Sequence, residues 1–158
     1  MTSLTSCFSN WKVWPAGDTD EAEAVISLCH GEKANKALAV LAVSFDKPCI
    51  LPDVVACHIL HQQYSARPAD LTVLSANSDT RDFLRAAAVT CHKYGWKKVI
   101  VIALEQHYWR SVMTARRLGL EVTTVDVSSI PYDGIRHRLH FLYHELVARL
   151  YYWWKNWI

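Results

Sequence analysis

Apolar positions fall in short runs separated by polar, helix-spaced stretches. Ala24-Val-Ile-Ser-Leu-Cys29 is a brief apolar run closed by His30-Gly31, which predicts a buried strand entering a turn. A helix is expected from Asn35 to Val43, then an extended piece at Pro48-Cys-Ile-Leu51. Pro52, with its fixed φ, suits the first turn of another helix, whose buried face would carry Val55, Ile59 and Gln62 and which should stop near Tyr64, before Arg67-Pro68. Leu71-Thr-Val-Leu74 reads as the next strand, and Ser75-Ala-Asn-Ser-Asp79 supplies N-cap oxygens. Leu84, Ala87, Ala88, Cys91 and Tyr94 repeat at helical spacing, and Gly95 is placed to close that helix in a left-handed conformation.

The continuous run Val99 to Leu104 has the character of a central parallel strand covered on both faces. A helix from His107 to Leu118 ends in Arg116 and Arg117, which complement its C-terminal dipole, and Gly119 follows as a stop. Glu121 to Val125 is a further strand, and Ser128 to Gly134 a long loop. In the final helix Leu139, Leu142, Leu146, Leu150 and Trp153 form one stripe, expected to lie on the sheet. Helices alternating with strands predict an α/β fold, a Rossmann-like three-layer sandwich with a mostly parallel sheet and right-handed crossovers. Residues 1–20 show no sustained period and read as an N-terminal extension, with Trp11 and Trp14 able to dock it; residues 21–158 read as a single domain.

Composition narrows the class. A chain of 158 residues, 51% hydrophobic with seven Trp and seven Tyr, is too apolar for disorder and sized for one core. Net charge is +2 with scattered cations, which argues against a nucleic-acid partner. The first 20 residues lack a signal peptide's apolar run, and no run approaches the ~20 residues of a membrane span. Five cysteines, Cys7, Cys29, Cys49, Cys57 and Cys91, contain no C-x-x-C pair and read as reduced thiols of a cytoplasmic protein.

Several motifs share one order and spacing: Ser78-Asp-Thr-Arg-Asp82, Gly95-Trp-Lys-Lys-Val-Ile-Val-Ile, His107-Tyr-Trp-Arg110 and Arg117-Leu-Gly-Leu-Glu-Val. In these the chain resembles a short, divergent member of the YdcF-like domain family, which is related to the SanA and ElyC proteins. The match runs from about Leu71 to Val127 and weakens across Val25 to Leu60, where the family's glycine-rich early loops are reduced to Gly31. The resemblance implies a Rossmann-like sheet with a pocket for a nucleotide-type or other anionic ligand, and some relatives serve cell-envelope upkeep. The family's Asn-Thr-x-Glu-Asn loop corresponds here to Asp79, Thr80, Arg81, Asp82 and Phe83, so Thr80 alone is retained. The family's His and Arg at the next helix correspond to His107 and Arg110, and an acidic position of an earlier helix to Val54, beside Asp53.

The strongest constellation joins Ser75, Asn77, Ser78, Asp79, Thr80 and Arg81 with Glu105, His107 and Arg110. Both segments follow strands and precede helices, so both belong at the carboxyl edge of a parallel sheet, where helix N-termini favour phosphate or carboxylate. Arg110 adds a planar donor fork, and His107 three residues earlier shares its helix face. His107 is the candidate general acid or base because imidazole titrates near neutrality, with Asp79 or Glu105 to orient it. The plainer account has Ser78 and Asp79 capping a helix, Glu105 facing a dipole and Arg110 in a surface ion pair.

The turn carrying His30, Gly31, Lys33 and Asn35 could reach the same crevice or be a solvated turn. Neither a G-x-G-x-x-G nor a G-x-x-x-x-G-K-[ST] loop occurs, which argues against a standard dinucleotide fingerprint and a P-loop. His137, His140 and His144 lie opposite the leucine stripe and read as a surface face, and Cys57-His58-x-x-His61 lacks a second ligand pair, so no metal site is assigned. The tail Tyr151-Tyr-Trp-Trp-Lys-Asn-Trp-Ile158 offers a membrane-surface contact, a dimer interface or an intramolecular clamp; with Lys155 its one cation, packing or homodimerisation is favoured.

Three functions are therefore in play. The first is a binding protein or enzyme for a phosphate-bearing or nucleotide-like small molecule, adenosylmethionine types included. The second is a non-catalytic interaction module with a degenerate site, and the third a metal-dependent hydrolase. The sequence names no cofactor and does not decide whether a reaction is catalysed.

Overall fold

The computed structural model describes residues 17–61, 71–75, 79–130 and 135–155. Five strands, β1 (Ala24–Ser27), β2 (Cys49–Pro52), β3 (Leu71–Leu74), β4 (Lys98–Ile102) and β5 (Glu121–Thr124), form one sheet of order β3-β2-β1-β4-β5. Every pairing is parallel; Val25, for instance, stands between Cys49 and Ile100. Among the described residues the helices are α1 (Glu32–Val43), α2 (Asp53–His61), α3 (Thr80–Tyr94), α4 (Glu105–Arg117) and α5 (Ile135–Trp154). The chain steps from β1 outward to β3, then crosses to β4 and steps the other way to β5. With right-handed crossovers, that reversal puts α1 and α2 on one face and α3 and α4 on the other. The contacts agree, since α1 packs on α2 and α3 on α4. The expected Rossmann-like α/β sandwich is therefore the fold.

Burial follows strand position. Val25, Ile26, Val99, Ile100, Val101 and Ile102 of β1 and β4 are wholly buried, as expected for central strands covered on both faces, whereas edge strand β3 leaves Val73 exposed. Gly95 and Gly119 close α3 and α4 in left-handed conformations, φ 78° and 86°. At each end one N–H reaches back five residues, Trp96 to Cys91 at 2.9 Å and Leu120 to Ala115 at 3.2 Å. Side chains other than glycine's are strained there, which is why both helices stop at these residues.

Boundaries differ from expectation in several places. α1 begins at Glu32, so Asn35 lies inside a helix. Pro52 ends β2 instead of opening α2, since a strand's last residue also tolerates a missing donor. α4 starts at Glu105, which puts His107 in its first turn. α5 begins at 135, and residues 131–134 of the predicted loop lie outside the described residues, as does Cys7. No helix of the described residues is long and apolar enough to cross a membrane.

The face of α5 requires a correction. The stripe of Leu139, Leu142, Leu146, Leu150 and Trp153 does not seat the helix on the sheet: Leu139 and Leu150 are exposed and the other three only half-buried. Among its described side chains the buried ones are Glu145, Arg149 and Tyr152, and α5 packs chiefly on α4. A charged stripe can face inward because α4 supplies its partners.

Candidate functional site

Strand order reverses between β1 and β4, so the segments leaving their carboxyl ends diverge and open a crevice there. His30 follows β1, and its N–H donates to Asn35 Oδ1 at 2.6 Å. Asn35 is buried in α1, so its side chain fixes the turn from inside the helix. Across the crevice, His107 enters the first turn of α4, its N–H donating to Leu104 O at 2.8 Å. Thr80 opens α3, and its Oγ1 lies 3.5 Å from His107 Nε2. The Arg110 guanidinium contacts that same nitrogen.

α5 completes the cluster. Glu145 accepts from Arg110 Nε at 3.3 and 3.2 Å on its two oxygens, from Arg110 NH2 at 3.0 Å, and from Arg149 Nε at 3.2 Å. Its Oε2 is 3.6 Å from His107 Nε2. The Arg110 guanidinium lies 5.0 Å from the Tyr152 ring centre, and that of Arg149 5.1 Å from the Trp109 ring centre. Burial pushes the Tyr152 hydroxyl above its ordinary value, and the nearby Arg110 charge opposes that shift.

Arg110, Glu145 and Arg149 are all buried, so among the described residues the cluster holds two guanidiniums against one carboxylate. Burial opposes the charge on Arg110, but Glu145 outweighs it. His107 is driven well below its ordinary value of 6.5, first by burial, then by the charges of Arg110, His30 and Arg149. At neutral pH it is an uncharged imidazole. A guanidinium only donates, so Nε2, which faces Arg110, is the acceptor nitrogen and the proton sits on Nδ1.

A pH dependence follows. Above the ordinary value of 6.5, His107 is neutral in both folded and unfolded chains and has no effect. Below 6.5 the unfolded chain takes up a proton that the folded chain refuses, so stability falls with pH until the depressed folded pKa is passed. The slope from one such group reaches about 1.4 kcal/mol per pH unit. His107→Gln is expected to make urea midpoints flatter between about pH 6.5 and pH 5.5; an unaltered slope would contradict a buried neutral imidazole.

Of the residues singled out from sequence, the structure brings His30, Thr80, His107 and Arg110 together, Asn35 supports His30, and Arg81 stands in the first turn of α3. Arg110 is not in a surface pair; it is inside the α4–α5 contact. Asp79 caps α3, accepting from Asp82 N at 2.9 Å, and is exposed. Gly31 precedes α1 with no side-chain cap, and Ser75 is exposed at the end of β3. Lys33 points instead to a groove of about 540 Å³ that α1 forms with Asp126, Ser129 and Ile130. Asn77 and Ser78 lie outside the described residues, and so does the side chain of Glu105.

The histidine face is described only at His144, which is exposed, and the side chain of His61 is likewise outside the described residues. Among the described residues no three His, Cys, Asp or Glu side chains are grouped to hold a metal ion. Sequence reading missed Trp109, Glu145, Arg149 and Tyr152. Their signal is modest: from Leu139 to Trp154 the only charged residues are Glu145 and Arg149, four apart on one helix face. No family model matches the chain, and no curated protein or solved structure matches it either.

Proposed function

We propose that the crevice between the carboxyl ends of β1 and β4 binds a small anionic ligand, phosphate-bearing or nucleotide-like, with adenosylmethionine types in the same class. The observation that carries this reading is the meeting of Thr80, His107 and Arg110 at the point where strand order reverses, where open parallel sheets take ligands. The anion sits against the first turn of α3 and His107, and Arg110 supplies fixed charge behind them. A neutral His107 with an acceptor Nε2 can take a hydrogen bond from a ligand group that replaces the Arg110 contact. The resemblance to YdcF-like domains leans the same way. In this reading the protein is cytoplasmic, and Cys29, Cys49, Cys57 and Cys91 are free thiols.

One observation favours a second reading, an interaction module whose site has decayed. Glu145 already accepts from Arg110, as a structural lock between α4 and α5 would require. A thermal-shift panel of nucleotides, S-adenosylmethionine and sugar phosphates separates the two. Under the first reading at least one phosphate-bearing compound raises the melting temperature, since a ligand at a hundred times its Kd adds about 2.7 kcal/mol. Silence across the panel supports the second.

A further inference from the structure

α5 is built inside out. Its two described charged side chains within the helix, Glu145 and Arg149, point into the protein, while Leu139, Tyr143, Val147, Leu150, Tyr151 and Trp154 are 40–69% exposed. At 100° per residue these six fall within about a third of the helix circumference. A helix on the surface of a monomer ordinarily turns its charges outward.

We infer that this stripe is the interface of a symmetric dimer, in which α5 packs antiparallel on α5 of a second copy of this chain. Area is the first argument. Taking roughly 150–250 Å² for each side chain, the stripe exposes on the order of 700 Å² per chain, beyond the ~300–600 Å² of the largest patch on a typical monomer. Two copies together bury about 1,400 Å², within the ~1,200–2,000 Å² of stable specific interfaces.

Self-complementarity is the second. A two-fold axis requires one patch to match its own reverse, and the centre of the stripe does so about Val147, with Tyr143 four residues before it and Tyr151 four after. The axis sets Val147 against Val147 and Tyr143 against Tyr151 of the partner, with Trp154 reaching the partner's first turns. Charge is the third argument. A helix held at a lipid surface flanks its apolar face with cations, but among the described exposed side chains of this helix end only Lys155 is one.

The test is sedimentation velocity on the full chain from about 1 to 100 µM, with circular dichroism to confirm folding. The expected species has twice the 18.1 kDa chain mass. Val147→Asp, which opposes two carboxylates on the axis, is expected to shift it at least tenfold toward monomer with an unchanged spectrum. Tyr143→Glu and Tyr151→Lys should each weaken association, and the double variant should recover it, because the new charges meet across the axis but stand eight residues apart within a chain. A wild-type monomer at all concentrations, a dimer indifferent to Val147→Asp, or no recovery in the double variant would overturn the proposal. So would a monomer that co-sediments with phosphatidylserine vesicles, which would make the stripe a lipid contact.

Discussion

Glu145→Ala is expected to lower folding stability by about 3–5 kcal/mol, the usual cost of removing one member of a buried ion cluster. Its loss leaves Arg110 and Arg149 buried together without the carboxylate that they share. That is a large share of the roughly 5–15 kcal/mol by which a domain is held folded. Urea unfolding at a fixed protein concentration reads the effect as a fall in midpoint, and concentration must be fixed because association adds to apparent stability. Glu145→Gln retains shape and one acceptor but no charge, and should fall between the two. A cost below about 1 kcal/mol for the alanine variant would mean that the cluster does not fasten α5. Replacing both Glu145 and Arg149 by apolar residues should cost less than Glu145→Ala, because one buried guanidinium, not two, then loses the shared carboxylate.

The second large effect concerns the ligand. Arg110→Lys preserves a positive charge beside Glu145, so the chain is expected to fold, but it removes the planar fork that, held by Glu145, fixes the charge behind the anion. Truncating a buried, hydrogen-bonded charge in an interface costs about 2–5 kcal/mol, so affinity should drop at least about thirtyfold. His107→Gln should weaken binding less while abolishing any chemistry that needs the imidazole as base.

The fold was legible where local signals and burial coincide. Val99 to Ile102 is an unbroken apolar run and is wholly buried in β4, and Gly95 and Gly119 end their helices in the left-handed geometry that favours glycine. His107 and Arg110 were legible as a pair because three residues on a helix share a face, and Thr80 because a helix start after a parallel strand must lie at the same edge. α5 was misread for a physical reason. Amphipathic analysis assigns the leucine-rich face to the core, yet the core side of this helix is set by Arg110, whose buried charge needs Glu145. Helical spacing within one segment carries no information about a cation on another. Tyr152 was illegible likewise, since Arg110, whose guanidinium lies over its ring, is far away in sequence.

The ligand site is tested most directly by calorimetric titration of the wild-type chain and Arg110→Lys, side by side, with ATP, S-adenosylmethionine and inorganic phosphate. The prediction is a saturable heat for at least one of these in the wild type, with affinity reduced about thirtyfold or more in a folded Arg110→Lys protein. Equal affinity in the two proteins, or no heat from any of the three probes, would contradict an anion site at Arg110.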